Sequence, residues 1–402
     1  MAQTPRNHVS DLRGASRLAI DATAGLTALV EAMHHTISKV PGVLGSPTRG
    51  RTGGITGLVY GSVRGATRLV GGAIDIVLRE LAPMLGEQSS SPGREAVIAA
   101  LNGVLGDYLA ATENPLAVTI QFRRDGRPLE LDRHALAEAL PQASGKILVL
   151  AHGLCMNDLQ WTRNGHDHGA ALARDLGYMP VYLHYNTGLH ISTNGRLFSE
   201  QLEGLIEQWP VAVEEFVIVG HSMGGLLARS AHHYGMASGC RWPKRLDKLV
   251  FLGTPHQGSP LERGGNHVDM VLGLSPYTAP FTRLGKIRSA GITDLRHGSL
   301  LDEDWDGRDR FARSRDHHRP LPLPEGVRCY AIAATTARKS EPLKARLLGD
   351  GLVPLASALG KHADPAFALA FPESRQWIGY GMNHLELLDR QDVYEQVRKW
   401  LA

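Results

Sequence analysis

Cysteine is scarce in this chain of 402 residues. The three that occur, Cys155, Cys240 and Cys329, lie far apart and show no CxxC spacing. Such a set builds neither a disulfide framework nor a zinc site. The fold therefore has to depend on an apolar core, and the hydrophobic fraction of 43% is ordinary for a globular protein.

Long apolar runs and strong net charge are missing as well. No uncharged apolar run reaches the roughly 18 residues that a membrane-spanning helix needs, and residues 1–11 lack the apolar segment of a secretory signal. The formal net charge is only +3, and no basic stripe with interleaved aromatic residues is present. These features argue against nucleic acid as a partner, and we expect a cytoplasmic location.

What the sequence does contain falls into three zones. Residues 1–112 predict an N-terminal helical region, because apolar residues recur at three- and four-residue steps from Leu12 to Ile37 and a further helix is predicted over Arg94–Ala111. These helices are open to three interpretations: packing on the rest of the chain, a homo-oligomer interface, or peripheral contact with a membrane surface. The last interpretation fits the arginines that stand among apolar residues, Arg64, Arg68 and Arg79.

The second zone, residues 113–258 together with 327–402, predicts an α/β core. Short apolar runs alternate with helical patterns, which indicates βαβ units and a mostly parallel central sheet flanked by helices. The predicted strands are a hairpin, Leu116–Phe122 and Pro128–Leu131 around Asp125-Gly126, followed by Ile147–Ala151, Val181–Tyr185, Phe216–Val219, Leu249–Leu252, Cys329–Ala333 and Trp377–Tyr380.

The third zone, residues 259–326, interrupts this alternation between two predicted strands. It combines an apolar patch around 271–281 with a charged run from Asp302 to Arg319. Because a structureless loop of this length is uncommon in a compact domain, we predict an inserted cap or lid.

The segment Gly220-His221-Ser222-Met223-Gly224 matches the pattern G-x-S-x-G. The pattern alone is weak in a glycine-rich chain, but the apolar strand run Phe216–Val219 precedes it and a helical pattern follows. A strand, a sharp turn and a helix are the setting in which such a serine is an exposed nucleophile. We therefore predict Ser222 as the nucleophile, with glycine required at both ends of the segment because side chains there would collide with neighbouring backbone.

An oxyanion hole would need backbone N–H donors beside this serine. One should belong to Met223, which follows the nucleophile, and the other to the loop after an earlier strand. His152-Gly153-Leu154 follows the predicted strand Ile147–Ala151. The predicted donors are Leu154 and Met223, with Cys155 as the alternative to Leu154.

The acid and the histidine follow the serine in that order in enzymes with such an elbow. Asp350, in the turn 349–354, and His384, just after the last predicted strand, stand at carboxyl ends of strands, where parallel sheets place ligand groups. His384 would accept the Ser222 proton, and Asp350 would orient the imidazole. The alternatives are Glu386 and Asp389 for the acid, and His152, His221 and His256 for the base.

Two histidine pairs raise the question of a metal. His166-Asp167-His168 and His317-His318 have no spaced partners of the kind that a metal-dependent hydrolase needs. We predict solvated polar loops at both places, no metal and no cofactor.

The chain resembles the lipase-like α/β hydrolases, including those related to the inositol deacylase and lecithin acyltransferase groups. The resemblance covers roughly residues 116–402 and implies the α/β-hydrolase fold, the triad Ser222, Asp350 and His384, a metal-free mechanism and an ester substrate with an acyl chain. It rests on four motifs: HGL from His152, GHSMGG from Gly220, GTPHQGS from Gly253 and GDGLVP from Gly349.

The expected activity is hydrolysis of a small-molecule or lipid-like carboxylic ester through an acyl-enzyme intermediate, as in an esterase or lipase. The same triad serves acyltransferases, thioesterases and amidases, so these are alternatives. A non-catalytic binding or membrane-surface protein, with the N-terminal zone as its active part, is an alternative of a different class. The complete set of triad and oxyanion elements argues against it.

Overall fold

The computed structural model describes residues 92–258, 289–307, 318–340 and 349–402. Their strands form one eight-stranded sheet in the order β2-β1-β4-β3-β5-β6-β7-β8. The strands are β1 (Gln121–Arg124), β2 (Arg127–Pro128), β3 (Lys146–Ala151), β4 (Met179–His184), β5 (Glu215–His221), β6 (Lys248–Leu252), β7 (Arg328–Thr335) and β8 (Gln376–Tyr380). The α-helices are α1 (Pro92–Ala111), α2 (Arg133–Ala139), α3 (His168–Leu176), α4 (Ile191–Gln208), α5 (Met223–Ala237), α6 (Ala290–Asp294), α7 (Leu355–Ala358) and α8 (Gln391–Leu401).

Six neighbouring strands are parallel, in the spatial order β4-β3-β5-β6-β7-β8. Strand β1 lies at the edge of this group and pairs antiparallel with both β2 and β4. All six predicted parallel strands are present, with ends that agree to within about two residues. The predicted helix Arg94–Ala111 is also confirmed as part of α1. The prediction of a mostly parallel sheet flanked by helices is therefore confirmed.

The hairpin prediction was right about the turn but wrong about both strands, which are Gln121–Arg124 instead of Leu116–Phe122 and Arg127–Pro128 instead of Pro128–Leu131. Asp125 and Gly126 both have positive φ, at 50° and 72°, as a two-residue type I′ hairpin turn requires. The stretch 116–120 is not a strand because its backbone bonds elsewhere: Asn102 of α1 donates to Leu116 O at 2.8 Å and accepts from Val118 N at 2.8 Å.

Both faces of the sheet are covered. Ile147 and Val149 of β3 point to the face where α4 and α5 pack, and the alternating Leu148 and Leu150 point to the face of α3 and α8. Parallel strands buried on both sides are typical of α/β proteins. This arrangement leaves the carboxyl edge of the sheet, where the loops meet, as the place for a site.

The predicted cap, residues 259–326, runs between β6 and β7, and the structure describes its parts 289–307 and 318–326. Asp294 at the end of α6 accepts from Ile191 N at 2.8 Å, so it holds the start of α4. The apolar patch 271–281 and the N-terminal segment 1–91, with its three interpretations, lie outside the described residues. Within the described ranges, no helix combines the length and the apolar character needed to cross a membrane.

Candidate active site

Ser222 occupies a sharp elbow between β5 and α5. Its φ of 54° and ψ of −122° fall in a region that residues with side chains rarely adopt, and such strain clusters at functional sites. The Ser222 N–H donates to Leu252 O of β6 at 2.8 Å, and Gly225 N donates back to Ser222 O at 3.1 Å. The predicted strand, turn and helix around this serine are therefore present.

The two glycines of the elbow are required by close backbone contacts. A Cβ at Gly220 would lie 2.5 Å from Gly225 N, and a Cβ at Gly224 would lie 2.1 Å from Ala151 O at the end of β3. Real Cβ atoms do not approach backbone atoms so closely, since packed interiors have no slack for such overlap. The elbow is thus specified by its own residues and by the strand beside it.

The loop after β3 passes directly beside Ser222. A Cβ at Gly153 would lie 3.1 Å from Ser222 Cβ, so glycine allows this loop to come close. Leu154 follows, and the loop closes as a turn in which Met156 N donates to Gly153 O at 3.3 Å. The alternative donor, Cys155 N–H, is already engaged with Thr187 Oγ1 at 3.1 Å.

His384 and Asp350 meet in a buried hydrogen bond, with 2.7 Å between Nδ1 and Oδ2. The other carboxylate oxygen of Asp350 accepts from Leu352 N at 2.9 Å and Val353 N at 2.7 Å, and Asp350 O accepts from His384 N at 3.1 Å. These bonds fix the carboxylate and leave one of its oxygens for the imidazole. An acid held in this way orients its histidine and sets the tautomer.

The alternative acids have other partners. Glu386 accepts from Asn383 N at 2.7 Å, as the second half of a capping box. Asp389 pairs with Arg163 at 3.4 Å and accepts from Asn164. Each carboxylate is therefore accounted for by a local structural role.

Two contacts bring the loop of His384 next to the elbow. A Cβ at Gly253, which directly follows Leu252, would lie 3.1 Å from His384 Nδ1 and Cε1. His221 Nε2, one residue before the nucleophile, donates to His384 O at 3.2 Å. Ser222, Asp350 and His384 therefore gather at one end of the sheet.

The rival histidines are buried and have depressed pKa values. Burial lowers the pKa of His152 to about 3, and it holds the pKa values of His221 and His256 well below their ordinary range. An effective general base has a pKa near the working pH. All three are therefore unsuited to accept a proton from the serine at neutral pH.

The prediction of a solvated polar loop was wrong for His168, which is buried at the start of α3. His166 Nε2 lies 2.8 Å from His168 Nδ1, and His168 Nε2 donates to Leu387 O at 2.9 Å. His318 packs on Phe367, whereas His317 lies outside the described residues. Among the residues with a described structure, no group of three or more His, Cys, Asp or Glu side chains could hold a metal ion.

Sequence reasoning predicted the helix Arg94–Ala111 but missed that it packs against the loop beside Ser222. A Cβ at Gly103 of α1 would lie 2.2 Å from Cys155 Sγ, and a Cβ at Gly106 would lie 1.8 Å from Asn186 Oδ1. Thr187, the partner of the Cys155 N–H, follows Asn186. The sequence did hold a signal for this contact, namely the two glycines inside an apolar helix. A glycine in such a pattern often marks a place where another segment packs closely against the helix.

A buried ionic network also escaped the sequence reasoning. Arg123 of β1 contacts Glu95 of α1 at 3.1 Å and Asp158 at 3.2 Å, and His184 Nδ1 lies 3.1 Å from the same Asp158 oxygen. Burial alone would raise the pKa of Asp158, but the hydrogen bond with His184 and the charge of Arg123 outweigh it and lower that pKa. The network ties α1 to β1 and to the loop region after β3.

Residues 142–320 match the family model described as the PGAP1-like alpha/beta domain. This range includes the HGL, GHSMGG and GTPHQGS motifs, whereas Asp350, His384 and α1 lie outside it. The match and the parallel sheet confirm the resemblance to lipase-like α/β hydrolases and the α/β-hydrolase fold.

Solved structures resemble the chain at low sequence identity. The mature lipase BlEst2 from Bacillus licheniformis is 16% identical, with 64% of this chain and 91% of that one covered and a TM-score of 0.41. The metagenomic carboxyl esterase MGS0156 is 17% identical, with 79% and 96% covered and a TM-score of 0.35. EstA from Clostridium botulinum is 12% identical, with 64% and 87% covered and a TM-score of 0.37. A comparison with curated protein sequences found no match.

Proposed function

We propose that this protein is a serine carboxylic-ester hydrolase of the esterase or lipase type. Ser222 is the nucleophile, His384 the general base and acid, and Asp350 the residue that orients His384. The observation that carries the proposal is the buried 2.7 Å bond between His384 and Asp350 next to an elbow that holds Ser222 at a φ of 54°. The family-model match over residues 142–320 supports a hydrolase of this kind.

The reaction proceeds in two steps. Ser222 Oγ attacks the ester carbonyl carbon while its proton passes to His384; the tetrahedral intermediate then collapses, and the alcohol leaves with that proton. Water repeats the sequence on the acyl-enzyme and releases the acid. Asp350 stabilises the imidazolium that forms in each step.

The negative oxygen of the intermediate faces the backbone N–H groups of Leu154 and Met223. Met223 is the first residue of α5, so its N–H lies at the positive end of the helix dipole. Leu154 is our choice for the second donor because the Cys155 N–H already donates to Thr187. Such a donor contributes about 10²–10³ in rate.

The test is hydrolysis of p-nitrophenyl esters, from acetate to palmitate, by the wild type and by Ser222→Ala. We expect the variant to lose activity by several orders of magnitude, as serine hydrolases do when the nucleophile is removed. Asp389→Asn is the matched control, since Asp389 bonds to Asn164 and Arg163 rather than to His384. A wild type that is inert on every ester, or a variant as active as the wild type, would overturn the proposal and favour a binding protein.

The same assay extends to the other reactions of a serine triad. Turnover of a matched ester, thioester and amide separates esterase from thioesterase and amidase, and an added alcohol acceptor reports acyl transfer. We propose that the ester rather than the thioester or amide is the preferred substrate. The cytoplasmic location and the membrane or self-association role of the N-terminal helices stay predictions.

A further inference from the structure

Helix α1 is enclosed over half of its length. Every residue from Arg94 to Val104 is buried, including the polar Asn102 and the ion-paired Arg94 and Glu95, so this half of the helix is surrounded by protein. Distant segments bind its backbone: Ser289 Oγ donates to Gly103 O at 2.6 Å, and Asn186 Nδ2 donates to Gly106 O at 2.9 Å. The helix is therefore held in a fixed place beside the loops of the site.

Gly103 forms a notch in α1 that accommodates Cys155. A Cβ at Gly103 would lie 2.2 Å from Cys155 Sγ and 3.0 Å from Cys155 Cα. The thiol also lies 3.9 Å from Ala100 O, one turn earlier in the helix. Burial raises the pKa of the Cys155 thiol to about 12, so the side chain is neutral and acts through its shape.

The backbone of Cys155 is strained, with a φ of 59°. It is the third residue of the turn closed by Met156 N and Gly153 O, and Leu154 before it keeps a negative φ. A hydrogen-bonded turn with positive φ only at the third residue has type II geometry, which normally requires glycine there. Contacts from outside the turn must therefore hold a cysteine in this conformation.

Two such contacts exist. The thiol sits in the notch at Gly103, and the Cys155 N–H donates to Thr187 Oγ1 at 3.1 Å. Both contacts hold Cys155, the third residue of the turn, and Leu154 is the residue directly before it. If Cys155 relaxed to negative φ, the peptide planes of the turn would rotate and the Leu154 N–H would change direction.

We propose that α1 positions the oxyanion hole: the notch at Gly103 and the hydroxyl of Thr187 hold Cys155 in its left-handed conformation, and the turn held in this way aims the Leu154 N–H at the carbonyl oxygen beside Ser222. The inference rests on the proposed ester hydrolysis. Gly103, Cys155 and Thr187 are positioning residues, because they act through Leu154 and do not touch the substrate.

The first variant is Gly103→Ala in the full chain, which displaces the thiol. We expect kcat on p-nitrophenyl butyrate to fall by about 10- to 100-fold, part of what an oxyanion donor contributes, while KM changes by less than about threefold. The double variant Gly103→Ala/Cys155→Gly should restore kcat, because glycine removes the thiol and adopts positive φ freely. Because kcat is expressed per folded molecule, its rescue would report on the geometry of the turn rather than on the amount of folded protein.

A second pair of variants leaves the helix intact. Cys155→Gly should keep kcat near the wild-type value, whereas Cys155→Val should lower it at least about fivefold, because a β-branched residue is a steric outlier at positive φ. If Gly103→Ala does not fold, this pair of variants still tests whether the conformation of Cys155 controls kcat.

Gly195→Ala is the matched control for Gly103→Ala. Its Cβ would lie 2.3 Å from Ser230 Oγ, an equally tight contact between two buried helices away from the turn. We expect its thermal midpoint to fall but its kcat per folded molecule to stay unchanged.

Three results would overturn the positioning role in an active wild type: wild-type kcat in Gly103→Ala, no rescue in the double variant, or equal kcat for Cys155→Val and Cys155→Gly. A wild type that hydrolyses no ester, or a Ser222→Ala variant that is equally active, overturns the proposed function and the positioning role together. The two failures are therefore distinguishable.

Discussion

The elbow at Ser222 and the turn at Leu154 lie side by side but are specified differently. The sequence pattern of the elbow lies within a short stretch, 215–237, although its Gly224 also packs closely on Ala151 of the neighbouring strand. The turn depends on Gly103 and on Thr187, which lie tens of residues away on either side. The comparison teaches that one half of the site can be recognised from consecutive residues, whereas the other half depends on contacts that no local sequence pattern shows. The most direct test is to break each half separately.

The largest effect is expected from breaking the acid–base pair beside the elbow. Asp350→Asn should lower kcat by about 10³–10⁴-fold, because the amide would favour the wrong tautomer of His384. Kinetics on p-nitrophenyl butyrate, with Asp389→Asn alongside, measure the change. Equal losses in both variants would show that Asp350 has no special relation to His384.

Breaking the elbow itself should affect both folding and activity. Gly224→Ala places a Cβ 2.1 Å from Ala151 O, and overpacking of this kind costs about 1–3 kcal/mol. We expect a lower urea midpoint and loss of most ester hydrolysis. Gly204→Ala is the control, since a Cβ at this helical position meets only the side chain of Leu131, at 3.2 Å; comparable damage from both substitutions would argue against a contact-limited elbow.

A smaller effect is expected from Thr187→Val, which weakens the long-range support of the turn at Leu154. This substitution removes the acceptor of the Cys155 N–H and leaves a buried donor unpaired, a loss of about 1–3 kcal/mol. We expect kcat to fall about tenfold with little change in KM. Thr162→Val is a surface control, because the hydroxyl of Thr162 bonds to Asp167 in an exposed position. If Thr187→Val keeps wild-type kcat, the hydroxyl does not help to hold the turn.

The last effect should appear in the pH dependence of stability rather than in kcat. Burial lowers the pKa of His152 to about 3 and of His168 to about 4, from 6.5 in the unfolded chain. The unfolded chain therefore binds more protons than the folded one between these values. The stabilisation is complete above about pH 6.5 and declines as the pH falls towards 4.

Urea midpoints between pH 7 and 4.5 measure this decline. His168→Gln should flatten the slope, because one titrating group is removed. An exposed control, His134→Gln, should leave the slope unchanged. An unaltered slope in His168→Gln would contradict the assignment of His168 as a neutral buried group.

The fold and the strand, turn and helix around Ser222 could be predicted because their signals are short-range. The strand around Ile147–Ala151 and the elbow at Ser222 show in consecutive residues, and the order of Asp350 and His384 follows from the elbow. The stretch 116–120 could not be predicted correctly, since its hydrogen bonds go to Asn102. Gly103 was equally hidden, because its role depends on the thiol of Cys155, which lies on another segment.

The hydrogen bond between Ser289 and Gly103 joins residues that are 186 positions apart in the sequence. This large separation has a consequence for folding. Contacts between such distant positions form slowly, because the loop between them must be closed first. Helix α1 leaves the ribosome before the sheet, yet it acquires its full set of partners only after residue 289 has been made. During refolding, ester hydrolysis should therefore recover later than the circular dichroism signal of the sheet. The first helix of the described chain would then be the last to reach its final packing.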